Sequence, residues 1–325
     1  MNIIVTGAAG FLGSNLINRL LEEKHTVFGI DDFSSGCERN LLQADEYESF
    51  RLKRADVTDL DIDKCFPDEV DVVVHLAARK IPRYGGALDT LKVNYLGTET
   101  VLDFARKRGC KCVLASTSDV YGMNPELPFS EESSNSVIGS SKSPRWAYAV
   151  SKLFDEHMAL AYMDEYGFPI TMLRFFGSYG PNQTLSWLGG PPPVFIEKVF
   201  KDEPIPIHGD GQQTRSFTYV DDTVNGIFNS IFRDEANGEI INIGSVEEVT
   251  ILELAQRVKK ASGTAGELKV DFVPYESFTG KKYQDVMRRV PDTRLCKKLL
   301  GVEAQVSLDD GLARTIEWQK QVMDL

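Results

Sequence analysis

The sequence has few of the residues that build metal sites and disulfides. Its 325 residues include five cysteines and four histidines. No two cysteines form a C-x-x-C pair and no two histidines lie four positions apart, so we predict no metal site, and reduced thiols in a cytoplasmic protein. No apolar run approaches the length needed to span a bilayer. The apolar N-terminus lacks a preceding basic segment and is soon broken by glycine, which predicts a strand rather than a signal peptide.

Positive charge is also scarce. The chain has 36 lysines and arginines against 48 acidic residues, which gives a formal net charge of −12. This balance argues against non-specific binding to nucleic acid or to an anionic membrane, because both need a basic surface. A phosphorylated small molecule is not excluded, since it needs only a local group of arginines and backbone N–H groups. We therefore expect a small-molecule partner, and neither nucleic acid nor membrane.

The N-terminus has the pattern of a phosphate-binding unit. A short apolar strand, Ile3 to Val5, is followed by Gly7, Gly10 and Gly13 and then by an amphipathic helical pattern. The first glycine permits the tight turn, the second lets a pyrophosphate approach the backbone, and the third lets the helix pack on the strand. The N–H groups at the helix start favour the phosphates. We predict a dinucleotide site that includes the two residues between the glycines, Phe11 and Leu12.

The second apolar segment suggests which dinucleotide binds. It runs from Thr26 to Ile30 and ends in Asp31 and Asp32. A carboxylate at this strand end accepts hydrogen bonds from the adenosine ribose and repels a 2′-phosphate. The sequence therefore favours NAD over NADP.

Strand and helix patterns then alternate along the chain. Candidate strands cover Phe50–Lys53, Val70–His75, Cys112–Ser116 and Pro169–Arg174, and candidate helices cover Leu88–Arg106 and Arg145–Tyr166. This alternation predicts an α/β fold with a Rossmann-like, doubly wound parallel sheet. We place an NAD-binding domain at residues 1–176 and a smaller, mainly substrate-binding lobe at 177–325, with elements from about 217 to 245 returning to the main sheet. Further cofactor contacts are expected from residues near strand ends: Asp56, Val57, Leu76, Ala77, Ala78, Asn94 and Ser116.

One helix and one strand end carry candidate catalytic groups. Tyr148 and Lys152 lie four apart on a predicted helix and therefore share a face. An ammonium beside a phenol stabilises the phenolate, so we expect Lys152 to lower the pKa of Tyr148 and make it a base near neutral pH. Hydroxyls at the end of the fifth strand, Ser116 to Ser118, are placed to hydrogen-bond a substrate hydroxyl or the keto group that it becomes.

In this order, the motifs resemble the extended short-chain dehydrogenase/reductase family, the NAD-dependent epimerases and dehydratases of nucleotide sugars. The residues that carry the resemblance are Gly7, Gly10, Gly13, Asp31, Asp56, Val57, His75 to Ala78, Asn94, Ser116, Thr117, Tyr148, Lys152, Arg174, Tyr179 to Pro181 and Gly209 to Asp221. The resemblance implies that Tyr148 deprotonates the C4 hydroxyl while hydride passes from C4 to NAD. It also implies that Lys152 holds the nicotinamide ribose and that Thr117 orients the hydroxyl. It further implies a homodimer formed through the two long helices.

The family's members differ in the fate of the 4-keto sugar. Dehydratases place Asp-Glu after the catalytic threonine, and here Ser118-Asp119 argues against dehydration. Decarboxylases of hexuronates carry Thr-Ser-Glu there and an arginine matching Arg289, and they share the Pro144–Trp146 and 280–285 motifs. The segment around Ser178 and Trp187 looks more like epimerases. We predict a UDP-sugar 4-epimerase acting on a hexose or hexuronate, with a UDP-glucuronate decarboxylase as the alternative and a non-catalytic NAD-binding scaffold as a remote one.

The resemblance also assigns roles to residues beyond the tyrosine and the lysine. Ser118 and Asp119 join Thr117, Tyr148 and Lys152 as expected catalytic residues. The expected substrate-binding residues are Lys80, Thr117, Ser118, Phe176, Gly177, Ser178, Arg215 and Arg289, of which Arg215 matches the arginine that contacts the nucleotide diphosphate.

Overall fold

A seven-stranded, fully parallel sheet forms the centre of the molecule. The structure is a computed structural model and describes residues 1–59, 69–80, 86–275, 277 and 285–323. The strands, in spatial order, are β3 (Phe50–Arg54), β2 (Thr26–Asp31), β1 (Asn2–Thr6), β4 (Val72–His75), β5 (Lys111–Thr117), β6 (Ile170–Phe175) and β10 (Ile240–Ile243). The strand order reverses between β1 and β4, which places a ligand crevice at their carboxyl ends.

Apart from the edge strand β3, whose last four residues are exposed, the sheet is buried on both faces, which is why strands such as β1 and β4 are nearly continuous apolar runs. Because side chains alternate along a strand, Ile3 and Val5 of β1 pack on one face and Ile4 on the other. Helices α1 (Phe11–Glu22) and α5 (Val220–Phe232) cover the first face. Helices α2 (Ala87–Arg108) and α3 (Ala147–Tyr166) cover the second.

A smaller lobe follows β6. It contains a three-stranded sheet of β7 (Gly177–Tyr179), β9 (Thr214–Tyr219) and β11 (Glu248–Thr250), and a parallel pair of β8 (Ile205–His208) and β12 (Val270–Val273). Its helices are α4 (Pro191–Phe200), α6 (Ile251–Ser262), α7 (Arg294–Leu300) and α8 (Leu308–Met323). The Thr250 side chain caps α6 by accepting the N–H of Glu253 at 2.9 Å. Among the described residues, no helix is long and apolar enough to cross a membrane.

The predicted elements are present, with shifted ends. Helix α3 begins at Ala147 rather than Arg145, because Pro144–Trp146 forms a separate 3-10 turn. The predicted return of the chain to the main sheet is correct for Ile240–Ile243, which pairs in parallel with β6. The other predicted element, Phe217 to Arg233, divides: helix α5 packs on the main sheet, whereas Phe217–Tyr219 lies in β9 of the smaller sheet, where β7 and β11 supply its hydrogen-bonding partners.

Candidate functional site

The turn after β1 has the shape that a dinucleotide pyrophosphate requires. Gly7 has φ +70°, and a Cβ added there would lie 2.8 Å from the backbone nitrogen of Ala77. A Cβ on Gly13 would lie 2.0 Å from the carbonyl oxygen of Gly7. Helix α1 follows Gly10 with no side-chain cap, so its first N–H groups are left to bind an anion. These positions tolerate only glycine, and the turn fits NAD.

Asp31 lies directly beside this turn. Its Oδ2 accepts the N–H of Ala9 and its Oδ1 accepts the N–H of Phe33, both at 2.8 Å. Burial raises the pKa of Asp31, and these two hydrogen bonds oppose the increase. Each carboxylate oxygen keeps a second acceptor position, which suits the hydroxyls of a ribose. Asp32 lies in an exposed turn and accepts the N–H of Ser34.

Two of the predicted cofactor contacts are engaged with the protein itself. Asn94 is fully buried; its Oδ1 accepts the N–H of Arg79, and its Nδ2 donates to the Ser151 hydroxyl, both at 2.8 Å. Ser116 donates to the Glu156 carboxylate. Asn94 therefore joins the segment after β4 to helix α3, and Ser116 joins β5 to the same helix. Both residues position the site, and their polar side-chain groups are already used.

The remaining predicted cofactor residues line the sheet edge or support it. Asp56 Oδ1 accepts both the N–H and the hydroxyl of Thr58 at 2.8 Å, which shapes the turn after β3. Val57 is buried against Gly97 of α2, where a Cβ would lie 2.9 Å from a Val57 methyl. Phe11, Leu12, Leu76 and Ala77 are partly buried and pack on the two core layers. Ala78, the next residue along the chain, is also partly buried.

The structure brings the predicted catalytic residues together. Thr117 ends β5, and its hydroxyl hydrogen-bonds the phenol of Tyr148 at the start of α3. Burial raises the pKa of Tyr148 well above its usual value, the negative charges of Asp119 and Asp155 raise it further, and the Thr117 bond opposes them. The Nζ of Lys152 lies 3.1 Å from Asp155 Oδ2, and both side chains are buried. Burial therefore dominates the pKa of Tyr148 in the protein alone, and the lowering of that pKa by Lys152 stays a prediction.

Beside these residues, three arginines alternate with two carboxylates. Arg289 Nη2 lies 2.9 Å from Asp119 Oδ1, and Arg215 Nη2 lies 3.0 Å from Asp285 Oδ1. Arg145 lies between them, 3.9 Å from Asp119 and 4.0 Å from Asp285. Burial, and then the charge of Arg289, lower the pKa of Arg215 to about 10. Burial alone would raise the pKa of Asp285, but Arg215 and the other arginines hold it below its usual value.

The arginine cluster is suited to binding an anion. Arg289 Nη1 also approaches the Ser118 hydroxyl at 3.4 Å, and the charged neighbours of Asp119 include the exposed Lys80. Counting that lysine, the cluster holds four cations against the carboxylates of Asp119 and Asp285. It is therefore a local positive centre in an acidic protein, of the kind that binds phosphate or carboxylate groups.

The segment after β6 only partly matches its predicted role in substrate binding. The Phe176 side chain is buried in a core cluster with Tyr121 and Phe129, so its predicted role in substrate binding stays a prediction that would rest on its backbone. Gly177 is exposed, and the Ser178 hydroxyl lies 2.9 Å from the Thr223 hydroxyl. The predicted motif at 280–285 lies outside the described residues except for Asp285.

Sequence reasoning missed three residues of the site. Arg145 belongs to a segment singled out only as a motif, although its position three residues before Tyr148 placed it close to the chemistry. Asp155 lies three residues after Lys152 on the same helix, and helical spacing alone predicts that the two side chains meet. Asp285 joins Arg215 across 70 positions, and the hydroxyl of Tyr275 donates to its other oxygen at 2.7 Å. No local signal reveals that contact.

Comparison with known proteins identifies the family. The model of the NAD dependent epimerase/dehydratase family matches residues 3–244. The chain belongs to this family. The resemblance, the Rossmann-like fold and the NAD cofactor predicted from the sequence are thereby confirmed. The glycine turn and Asp31 are the parts of this NAD-dependent enzyme that fit the cofactor, which when bound accepts a hydride and returns it.

Relatives of this epimerase/dehydratase family member include decarboxylases and epimerases. The chain is 32% identical over 321 residues to UDP-N-acetyl-alpha-D-glucosaminuronate decarboxylase of Bacillus cytotoxicus, covering 98% of each chain. It is 37% identical over 322 residues to UDP-glucuronic acid decarboxylase 1 of Danio rerio, covering 97% of this chain and 72% of that one. UDP-glucuronic acid 4-epimerase of Bacillus cereus, solved with UDP-glucuronic acid and NAD, superposes with a TM-score of 0.87 at 32% identity, covering 99% of this chain and 100% of that chain.

Proposed function

We propose that this enzyme oxidises C4 of a UDP-linked hexuronate and then releases the C6 carboxylate as carbon dioxide. The observation that carries the proposal is the pair formed by Arg289 and Asp119, 2.9 Å apart and directly after the catalytic Thr117. A cation beside the catalytic hydroxyls suits a sugar that is itself negatively charged. The relatives named as decarboxylases of UDP-glucuronic acid and of its N-acetylamino counterpart support this substrate class.

The charges of the site divide between the two ends of such a substrate. Arg215 pairs with Asp285. It matches the family's arginine that contacts the nucleotide diphosphate, so we assign it to that end of the substrate. Arg289 contacts Ser118 and Asp119 next to Thr117, so it is the cation for the C6 carboxylate. Arg145 lies 3.9 Å from Asp119 and 4.0 Å from Asp285, and it completes the positive surface between the two ends.

In the first step, Tyr148 accepts the proton of the C4 hydroxyl. Thr117 donates a hydrogen bond that favours the phenolate and orients the sugar, and Lys152 lies one turn further along α3. Because burial raises the pKa of Tyr148 in the protein alone, the base is formed only when further positive charge is present in the site. The sugar leaves this step as a 4-keto hexuronate, which is a β-keto acid.

In the second step, the C5–C6 bond breaks and its electron pair moves towards the C4 carbonyl oxygen. The leaving C6 carboxylate and Asp119 are both partners for the single guanidinium of Arg289. Two carboxylates that share one cation repel each other, and this repulsion ends when the C6 carboxylate leaves as neutral carbon dioxide. The resulting enolate oxygen accepts hydrogen bonds from Tyr148, now protonated, and from Thr117. C5 then takes a proton from water. Tyr148 returns its proton to the C4 oxygen, and the hydride taken from C4 in the first step, which the cofactor held by the glycine turn and Asp31 would carry, would return to C4.

A 4-epimerase acting on the same hexuronate is the second candidate. The favouring observation is that Asp119 is held by Arg289 and lies 3.9 Å from Arg145, an arrangement that keeps its charge satisfied rather than directed at the sugar. Its carboxylate is also one methylene shorter than the glutamate of the decarboxylase pattern. The Bacillus cereus 4-epimerase, solved with UDP-glucuronic acid and NAD, is the structural relative that supports this reading.

The substrate class is tested by comparing UDP-glucuronate with UDP-glucose. We expect kcat/KM for UDP-glucuronate to be higher by about a hundredfold, because Arg289 can pair with the C6 carboxylate of this sugar but not with the neutral C6 hydroxyl of UDP-glucose. Equal use of the two substrates would contradict the assignment of Arg289 to the C6 carboxylate, whichever product is formed.

We further propose that the enzyme is a homodimer formed through α2 and α3. These helices pack side by side and expose an apolar stripe whose spacing matches one helix face: Leu88, Leu91 and Tyr95 on α2, and Val150 and Phe154 on α3. Leu88 is 62% exposed and Phe154 is 51% exposed. A second copy of the same face would cover this stripe and form a four-helix bundle.

A further inference from the structure

A buried ion pair on α3 joins Lys152 to Asp155, a residue that has no role in the mechanism described above. The two residues lie three apart on α3, with Nζ 3.1 Å from Oδ2, and their side chains are 2% and 5% exposed. Burying two charges costs more than the attraction returns in many proteins, and apolar side chains would pack in the same volume. A carboxylate at this position is therefore better explained by an effect on Lys152 than by stability.

The surroundings make Asp155 the charged partner of Lys152. His75 of β4 also lies near the ammonium, but burial and the charge of Lys152 lower the pKa of His75 to about 3, so it is neutral. Helix α2 contributes the hydroxyl of Thr98, which lies beside the Asp155 carboxylate. The neighbouring Glu156 is engaged by Arg174 of β6. Within the described residues, the ammonium of Lys152 donates its hydrogen bond to Asp155 Oδ2.

The same carboxylate acts on Tyr148. The negative charges that oppose ionisation of the phenol come from Asp119, on the turn after β5, and from Asp155 on its own helix. Asp119 has nearby cations of its own, which are Arg289, Arg145 and Lys80. Asp155 has Lys152, whose Nζ lies 3.1 Å away. The positive charge that Lys152 brings near Tyr148 is thus largely offset by Asp155.

We propose that Asp155 is a positioning residue of the reaction: it holds the ammonium of Lys152 and, through its own charge, sets the pH range in which Tyr148 loses its proton. The carboxylate touches neither substrate nor cofactor in this proposal. It acts on Tyr148 by neutralising the Lys152 ammonium and by its own negative charge. The pH of maximal activity is therefore higher than it would be in the same site without this carboxylate. The proposal rests on Tyr148 being the base of the proposed function.

The test is Asp155→Asn, which keeps the shape and an acceptor oxygen for Lys152 but removes the charge. In the NAD-saturated protein labelled with [ζ-13C]tyrosine, the signal missing from Tyr148→Phe reports on Tyr148. We expect its titration midpoint to move to lower pH in Asp155→Asn. We also expect the acid limb of the kcat/KM profile to move with it. One pH unit below the wild-type midpoint, the variant should retain about threefold more of its own maximal rate than the wild type retains.

Two controls separate this effect from damage to the fold. Asp155→Glu keeps the charge and should keep the wild-type midpoint. Asp164→Asn removes an exposed carboxylate from the same helix and should change neither midpoint nor rate. If Asp155→Asn does not fold, Asp155→Ser removes the charge in a smaller side chain. An unchanged Tyr148 midpoint in a folded charge-free variant would overturn the proposal. The titration needs no substrate. Its outcome therefore does not depend on whether the enzyme turns over UDP-hexuronates.

Discussion

Arg174 of β6 and Glu156 of α3 form a buried two-point ion pair. Nε lies 2.9 Å from Oε1 and Nη2 lies 2.7 Å from Oε2, with the side chains 8% and 4% exposed. The guanidinium also lies 4.7 Å from the ring centre of Tyr121. Since Glu156 accepts the Ser116 hydroxyl as well, this one carboxylate joins the catalytic helix to two strands of the sheet. The position of Tyr148 relative to Thr117 depends on it.

Breaking this pair should destabilise the fold strongly. Glu156→Gln leaves the Arg174 charge buried without its partner, and we expect a loss of about 3–5 kcal/mol in the free energy of unfolding. The double variant Glu156→Gln/Arg174→Met should lose less than the sum of the two single variants. Chemical denaturation of all four proteins measures the coupling. Additive losses would show that the two side chains do not act as a unit.

Replacing the base should stop turnover and leave the cofactor bound. Tyr148→Phe removes only the phenolic oxygen, so we expect kcat to fall by about a thousandfold, within the range for a lost general base. NAD affinity, measured by titration calorimetry, should stay within about twofold because the glycine turn and Asp31 are untouched. Substantial turnover by this variant would rule out Tyr148 as the base.

Removing the charge of Asp119 should separate the two chemical steps. In Asp119→Asn, the C6 carboxylate has Arg289 to itself, and we expect release of carbon dioxide to slow by about a hundredfold, equivalent to about 3 kcal/mol. The 4-keto sugar should then accumulate and be trapped by borodeuteride.

Two variants serve as controls for Asp119→Asn. Asp119→Glu keeps the charge, and Asp271→Asn removes an exposed carboxylate from the smaller lobe. Unaltered carbon dioxide release in Asp119→Asn would assign the carboxylate a purely structural role.

His75 should make the protein less stable in mild acid. Burial, and then Lys152, lower its pKa to about 3, against about 6.5 in the unfolded chain. Between these values the unfolded state binds the extra proton, so the free energy of unfolding falls as the pH falls from 6.5 towards 3. From pH 7 to pH 5 the contribution is about 2 kcal/mol. Over the same pH interval, the free energy of unfolding of His75→Gln, measured in urea, should fall by about that much less than that of the wild type. An identical pH dependence of the two proteins would contradict the prediction.

A charge in the exposed stripe should dissociate the proposed dimer. Phe154 is 51% exposed on α3, and Phe154→Glu would bury a charge against the partner copy. We expect a dimer for the wild type and a monomer for this variant by light scattering at micromolar concentration. Phe272 is 49% exposed in the smaller lobe, so Phe272→Glu is a matched control that should remain dimeric. A monomeric wild type would refute the proposed assembly.

The sequence was sufficient for features that depend on local spacing. The Gly7, Gly10 and Gly13 turn, the acidic end of β2 at Asp31, and the shared face of Tyr148 and Lys152 each lie within one strand–turn–helix unit or one helix. Their geometry follows from backbone periodicity, and the structure places them accordingly. The family and its cofactor follow from the same motifs.

Features that depend on contacts between distant segments were not predictable in this way. The pKa of Tyr148 is raised by burial and by carboxylates whose placement depends on how β5 and α3 pack, and the spacing of Tyr148 and Lys152 reveals neither effect. The partner of Asp119 is Arg289, 170 positions away. Phe176 follows a strand end, where substrate contacts are common, but its aromatic ring is buried with Tyr121 in the core instead.

The fate of C6 tests the central claim most directly. UDP-glucuronate labelled with 13C at C6 is incubated with the enzyme and NAD, and the labelled gas and the remaining sugar nucleotide are followed by mass spectrometry and NMR. We predict labelled carbon dioxide and a UDP-pentose that has lost the label. A UDP-hexuronate of unchanged mass, with the label retained and the configuration at C4 inverted, would contradict decarboxylation and identify the enzyme as the 4-epimerase.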